Sequence, residues 1–209
     1  MTLAAAQTPY RSEVKRKLIH LSSLWMPASI YFLPWPVAAM IFAAGLVLLV
    51  LFEIVRRREH GLGLWLTRLF LPLLRAHETS AAVRLTGATY VLLAALACVL
   101  LFAPLVAMVA LSIMLVADSA ASLAGRRFGK TPVMGKTVEG SLAFLLAALI
   151  VIVIIGQILS PPPHYYAGGA AAAVAGTLAE LCCGVLHADD NLGIPLAAGG
   201  VMSLVMALL

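Results

Sequence analysis

Residues 37–52 read VAAMIFAAGLVLLVLF, a run without one polar side chain that stops at Glu53 and at Arg56-Arg57-Arg58. A transmembrane helix takes about 20 apolar residues, within a range of roughly 17–25, and this run is a candidate span. Outward from it the pattern recurs. Residues 18–33 form a short first candidate, closed by Pro34-Trp35-Pro36. The stretch between Arg84 and Arg126 is too long for one helix and long enough for two, with Pro104 near its midpoint as a hairpin turn. Residues 141–159 end at Ser160-Pro161-Pro162-Pro163, and 194–209 make a short last candidate. Between them, 168–186 is rich in Ala and Gly, which lets helix backbones approach closely. These runs predict a single all-α integral membrane domain over residues 1–209, a polytopic bundle of about seven transmembrane helices.

Composition points the same way. Of 209 residues, 63% are hydrophobic and 11% charged, with a mean hydropathy of +1.04. A soluble domain carries about 25% charged residues, and disorder requires few apolar ones. The 14 Lys and Arg outnumber the 9 Asp and Glu, but they sit in short clusters between apolar runs. A nucleic-acid partner would need a basic face on a soluble module, so none is expected. Every basic residue lies between Arg11 and Lys136. With a cytoplasmic N-terminus, the seven-crossing arrangement places all 14 on the cytoplasmic face, as the positive-inside rule requires. The 56–84 connection is too apolar for a solvated loop and too short in its apolar run to span. It reads as an interfacial or re-entrant segment, with Arg68 and Arg75 reaching headgroups. Cys98, Cys182 and Cys183 have neither disulfide nor zinc spacing and read as inert thiols. No small-residue cleavage site ends the first apolar run, so the first helix is expected to stay.

Ionisable side chains inside a span are costly and are functional candidates by default. Asp118 terminates an apolar stretch; it is either a functional carboxylate or a helix-end group paired with Arg126 or Arg127. Glu180 lies in the Ala-rich helix about two turns from its cytoplasmic end, on a stripe with Thr177, Gly184 and His187. It is either functional or a partnered packing carboxylate. Glu13, Lys17 and His20 share a face, but a Glu–Lys pair at i, i+4 is commonly mere helix support.

The densest polar sequence runs from Asp118 to Ser141. Within it, a cytoplasmic loop over 123–140 carries Gly125-Arg126-Arg127-Phe128-Gly129-Lys130 and then Gly135-Lys136-Thr137-Val138-Glu139-Gly140-Ser141. Glycines allow close backbone approach, Lys and Arg supply cations for phosphate, and Ser141 is read as opening a helix whose N-terminal amides favour an anion. Glu139 is a helix-start charge or a ligand. The loop is not a P-loop, because Gly129 and Gly135 are one residue too far apart. An acidic turn over 187–193 holds Asp189, Asp190 and Asn191, either solvated cap residues or hard oxygen ligands for Mg²⁺. Basic phosphate ligands and acidic metal ligands on one face imply metal–nucleotide chemistry at the bilayer surface.

Taken in order, several strings resemble the CTP-dependent polyprenol kinase family, which includes dolichol kinase, phytol kinase and a CTP-using diacylglycerol kinase. They are Glu13-Val14-Lys15-Arg16-Lys17-Leu18-Ile19-His20, Arg75-Ala76-His77-Glu78 and Thr86-Gly87-Ala88-Thr89-Tyr90. Asp118-Ser119-Ala120, Gly125 to Lys130, and Lys136 to Ser141 follow, then Glu180 with Asp189-Asp190-Asn191-Leu192-Gly193-Ile194-Pro195. The resemblance implies transfer of the γ-phosphoryl group of CTP to the hydroxyl of a lipid alcohol, with Mg²⁺ as cofactor. The site would lie on the cytoplasmic face of an inner or plasma membrane. Arg126, Arg127, Gly129, Lys130, Lys136, Thr137, Gly140 and Ser141 would bind nucleotide; Asp118, Asp189, Asp190 and Asn191 would hold the metal. Glu139 or Glu180 would deprotonate or orient the hydroxyl, with Asp118 and Lys136 also in the catalytic set. The match turns Lys17 and His20 into open candidates and adds Arg75 and Glu78. CDP-diacylglycerol synthases are similar over Asp118 to Gly140, but their C-terminal signature has a Lys-Asp and a His-Gly-Gly run. Here no Lys follows Lys136, which favours the kinase. A small transporter using Asp118 and Glu180 as intramembrane ion sites is a third expectation.

Overall fold

The computed structural model describes residues 10–56, 86–186 and 188–209. The expected interfacial segment, with Arg75 and Glu78, lies outside the described residues, as does His187. The apolar runs form α1 (Tyr10–Ser22), α2 (Trp25–Phe32), α3 (Trp35–Arg56), α4 (Gly87–Leu101) and α5 (Pro104–Phe128). They continue as α6 (Val138–Leu159), α7 (His164–Cys183) and α8 (Asp190–Leu208). Among the described residues the only sheet is a hairpin of β1 (Pro132–Val133) and β2 (Lys136–Thr137). The protein is an all-α membrane helix bundle.

Among the described residues, five of the expected seven crossings are single helices long and apolar enough to span, α3 and α5 to α8. With 15 residues, α4 rises about 22 Å, short of a ~30 Å hydrocarbon core. The run over 18–33 is divided, and Pro27 is the cause. It has no N–H for the Ser23 carbonyl, and its ring would clash there if the helix were continuous. The chain breaks instead: the Ser23 and Leu24 N–H groups close tight turns on the His20 and Leu21 carbonyls. Pro27 then sits harmlessly in the first turn of α2. That helix has 8 residues, about 12 Å, and cannot cross alone.

The axis of the bundle is α5. Every residue from Val106 to Leu115 is buried, as expected of a helix apolar on all sides, and it packs against α1, α2, α4, α6, α7 and α8. Pro104 opens it at N1, where the missing N–H costs nothing, so the predicted hairpin turn stands. Around it, α6 and α3 turn Leu142, Leu146, Ile150, Leu48 and Leu51 outward, toward lipid. Small residues on α7 do what the composition predicts: a Cβ on Gly169 would lie 2.6 Å from Ile152 of α6, and one on Gly168 2.8 Å from Met206 of α8. Cys98 and Cys183 are buried free thiols.

Several boundaries move, and each move matters for the polar residues. The expected 123–140 loop shrinks, because α5 runs through Phe128 and α6 begins at Val138, not Ser141. The acidic turn shrinks too: Asp190 to Gly193 already belong to α8. Since α7 stops at Cys183, Glu180 is one turn from its end rather than two, and Gly184 lies beyond it.

Candidate functional site

Asp118 sits inside α5, about 15 Å before its end at Phe128, and is 7% exposed. Its partner is neither Arg126 nor Arg127, as the helix-end reading would have it. Lys17 Nζ of α1 donates to Asp118 Oδ2 at 2.5 Å, with both side chains buried. His20, one turn on, brings Nε2 to 3.8 Å of the same oxygen. Lys17 is therefore no helix support, although the i, i+4 spacing favours that role. Its helix is inverted relative to a water-facing one: Glu13 and Lys17 point inward while Leu18 and Ile19 are exposed. Such an arrangement suits a helix whose outer face meets lipid rather than water.

A second knot forms around Lys136. The hairpin delivers it: Met134 and Gly135 both have positive φ (46° and 81°), the type I′ geometry that suits a two-residue strand connection. Val133 and Lys136 pair directly across the turn. Lys136 Nζ then lies 2.8 Å from Glu180 Oε1 of α7 and donates to Asp190 Oδ2 of α8 at 3.1 Å. Ser141 Oγ of α6 donates to the other Glu180 oxygen at 3.2 Å. Burial works against the Lys136 charge, but Asp190 and Glu180 outweigh it and hold its pKa above the ordinary lysine value. Lys136 also acts electrostatically on Asp118, and Asp118 on Asp190, so the two knots are one network. Three carboxylates face two ammonium groups in it.

The glycines of the loop serve helix packing. Cβ atoms on Gly125 and Gly140 would meet Thr137 Oγ1 at 2.9 and 3.0 Å, and one on Gly129 would meet Thr137 Cγ2 at 2.7 Å. Their absence lets the end of α5 close on the start of α6, where Thr137 Oγ1 accepts from Gly140 N as the cap. Glu139 accepts from the N–H and hydroxyl of Thr131, tying the hairpin to α6. Asp189 likewise caps α8, accepting from the Asn191 N–H and its side-chain amide. Asp118, Lys136, Glu180, Asp190, Ser141, Lys17 and His20 are thus brought together, whereas Glu139, Asp189 and Asn191 spend these bonds locally. Arg127 and Lys130 are exposed on the same end. Arg126 Nη2 reaches Glu13 Oε2 at 3.2 Å, and Glu13 also binds Arg16. Burial raises the Glu13 carboxyl, but Arg16 and Arg126 more than offset this and its pKa lies below the ordinary value.

Among the described residues no three His, Cys, Asp or Glu side chains converge as a ready metal cage. Asp118 and Asp190, within electrostatic reach of each other, are hard oxygen donors of the type Mg²⁺ takes, and a Mg²⁺ arriving with phosphates needs only one or two carboxylates.

Two buried polar groups carry no role in the sequence reading. Glu53 of α3 accepts from the Thr86 N–H at 3.0 Å, the Thr86 hydroxyl at 2.6 Å and the Thr89 hydroxyl, stapling α3 to the start of α4. The Cys183 thiol is buried beside Asp190. A Thr-x-x-Thr opening a helix and an acid ending an apolar run were the available signals for the first; the second has none.

No family model matches the chain, and no solved structure matches it. It is 24% identical to an uncharacterized protein of Rickettsia prowazekii over 186 residues, which cover 88% of this chain and 90% of that one.

Proposed function

We propose that this protein is a membrane lipid kinase that transfers the γ-phosphoryl group of CTP to the hydroxyl of a lipid alcohol at the cytoplasmic face of an inner or plasma membrane. The supporting observation is the network in which buried Lys17, Asp118 and Glu180 meet the half-buried Lys136 and Asp190. Buried ionic groups are costly, and phosphoryl transfer is a reaction that needs both signs of charge fixed in one place. CTP as donor rests on the sequence resemblance.

In this reading Lys136, with the exposed Arg127 and Lys130 at its rim, neutralises the phosphates. Asp118 and Asp190 would hold a Mg²⁺, whose charge would screen that of the phosphates. Glu180, fixed by Ser141, accepts the proton of the lipid hydroxyl. The alcohol oxygen then bonds to the γ-phosphorus as its bond to the β–γ bridging oxygen breaks, leaving CDP and a lipid monophosphate. An apolar groove of ≈ 180 Å³ between α2, α5 and α6 fits the lipid tail, with Leu24, Phe32, Met108, Ile155 and Leu159 on its walls. Ser112 in the same groove lies about 9 Å along α5 from Asp118.

The test uses purified protein in lipid nanodiscs with Mg²⁺, a panel of lipid alcohols and CTP labelled at either the γ- or the α-phosphorus. Label from the γ position should enter the lipid, while α label stays in CDP. Entry of α label into phosphatidic acid with release of pyrophosphate would establish a cytidylyltransferase instead.

A further inference from the structure

Lys17 reaches Asp118 from 101 positions away, on a helix that breaks before it can cross the bilayer. Its ammonium lies 2.5 Å from Oδ2, a cation already seated where the carboxylate would offer its oxygen to a metal. Lys136 stands in the same relation to Asp190 and Glu180. Both lysines have long flexible stems, so an ammonium can leave one anion for another without backbone movement. We infer that Lys17 and Lys136 are resident stand-ins, so that the site accepts a metal–polyphosphate as a unit and rejects either half alone. The inference rests on the nucleotide-binding reading and deepens it.

The argument is one of charge exchange. A free divalent cation approaching Asp118 and Asp190 meets two ammonium groups, and a free polyphosphate approaching the lysines meets three carboxylates. When both arrive together, Asp118 and Asp190 pass to the metal and the ammoniums to the phosphates. Asp118, Asp190, Lys17 and Lys136 then each keep an opposite partner and Glu180 keeps the Ser141 hydroxyl, which matters because stranding a buried charge is expensive. Glu13 and Arg126 remain paired meanwhile, so α1 stays docked on α5 while Lys17 changes partner. Lys17 is thus a specificity-determining group: it keeps the metal seat closed to free cations.

Equilibrium dialysis of labelled CTP against the nanodisc protein, with and without excess metal, reads one half of this. Electron paramagnetic resonance of Mn²⁺ reads the other. Wild type should bind CTP at least about 10-fold more tightly with metal than with chelator, within the usual range of coupling between sites, and should take up little Mn²⁺ alone. Lys17→Met keeps the apolar stem and removes the ammonium; it should raise affinity for Mn²⁺ alone about 10-fold, and adding Asp118→Asn should cancel that gain. Equal CTP affinity with metal and with chelator would overturn the exchange while leaving nucleotide binding intact. No CTP binding in either condition would overturn the function reading and this inference together. The wild-type arms decide the matter even if Lys17→Met fails to fold.

Discussion

Two of the carboxylate sites among the described residues of this bundle differ in the donors that hold them. Glu53 accepts from neutral donors of one short segment, the Thr86 backbone N–H and the Thr86 and Thr89 hydroxyls. Those donors belong to the start of α4 and have nowhere else to go. Asp118, Glu180 and Asp190 are held by ammonium groups on long side chains from distant parts of the chain. Fixed neutral donors make a staple; movable charged ones make a site that can trade partners with a ligand. Burial of a charge is therefore no guide to function by itself. The identity and reach of the partner separates the two.

The contrast is sharpest at Glu180. Glu180→Gln keeps the shape and the Ser141 bond but removes the proton acceptor, so kcat should fall about 10²–10⁴-fold, the usual contribution of general acid–base catalysis. Retention of full CTP-dependent turnover by this variant would remove Glu180 from the chemistry. Lys136→Met should follow with a loss of about 10²–10³-fold, typical of deleting one stabilising charge or donor in a transition state. Its KM for CTP should rise as well, which initial-rate kinetics over a range of CTP concentrations would show.

How much of this was legible in sequence follows from the range of each interaction. The helices of the bundle were readable because apolar length is a local property, and so was the Pro104 turn. Pro27 was equally visible, yet whether it breaks a helix or opens one depends on where the preceding turn ends. Asp118, Lys136, Glu180 and Asp190 were readable as polar residues that a membrane protein has to explain. Their pairing was not, because Lys17 to Asp118 spans 101 positions and Lys136 to Asp190 spans 54. On α1 the spacing of Glu13, Lys17 and His20 shows a stripe but not whether it faces water or protein. The glycines follow the same rule: close approach is what they permit, and in the fold the approaching group is Thr137.

At the staple the expected effect is on stability. Glu53→Leu leaves the Thr86 and Thr89 donors without this acceptor, and an orphaned buried polar group costs about 1–3 kcal/mol. The midpoint of thermal unfolding in a fixed detergent should drop, while kcat per folded molecule stays at the wild-type value. A fall in kcat larger than the fall in folded fraction would mean that Glu53 belongs to the reacting site and that the two carboxylate sites are not opposites after all.

Arg126→Met probes the smallest effect, the outer latch between α5 and α1. The Arg126 side chain is 35% exposed, so solvent screens its pair with Glu13 and the loss should be about 0–1 kcal/mol. Its pH dependence has a definite sign. Glu13 has a folded-state pKa below the ordinary 4.5, so its contribution is complete above that value and is lost as pH falls through the depressed one. The gap in unfolding midpoint between wild type and Arg126→Met should accordingly be constant from neutral pH down to about 5 and close in stronger acid. Lys136 runs the other way: its pKa is raised, so its contribution is complete below the ordinary lysine value of 10.5 and fades only as pH rises through the raised one. Neither group titrates near neutrality. A gap that widens on acidification would mean that Arg126 draws on a group other than the Glu13 carboxylate, and α1 would then be held to α5 chiefly by Lys17 and Asp118.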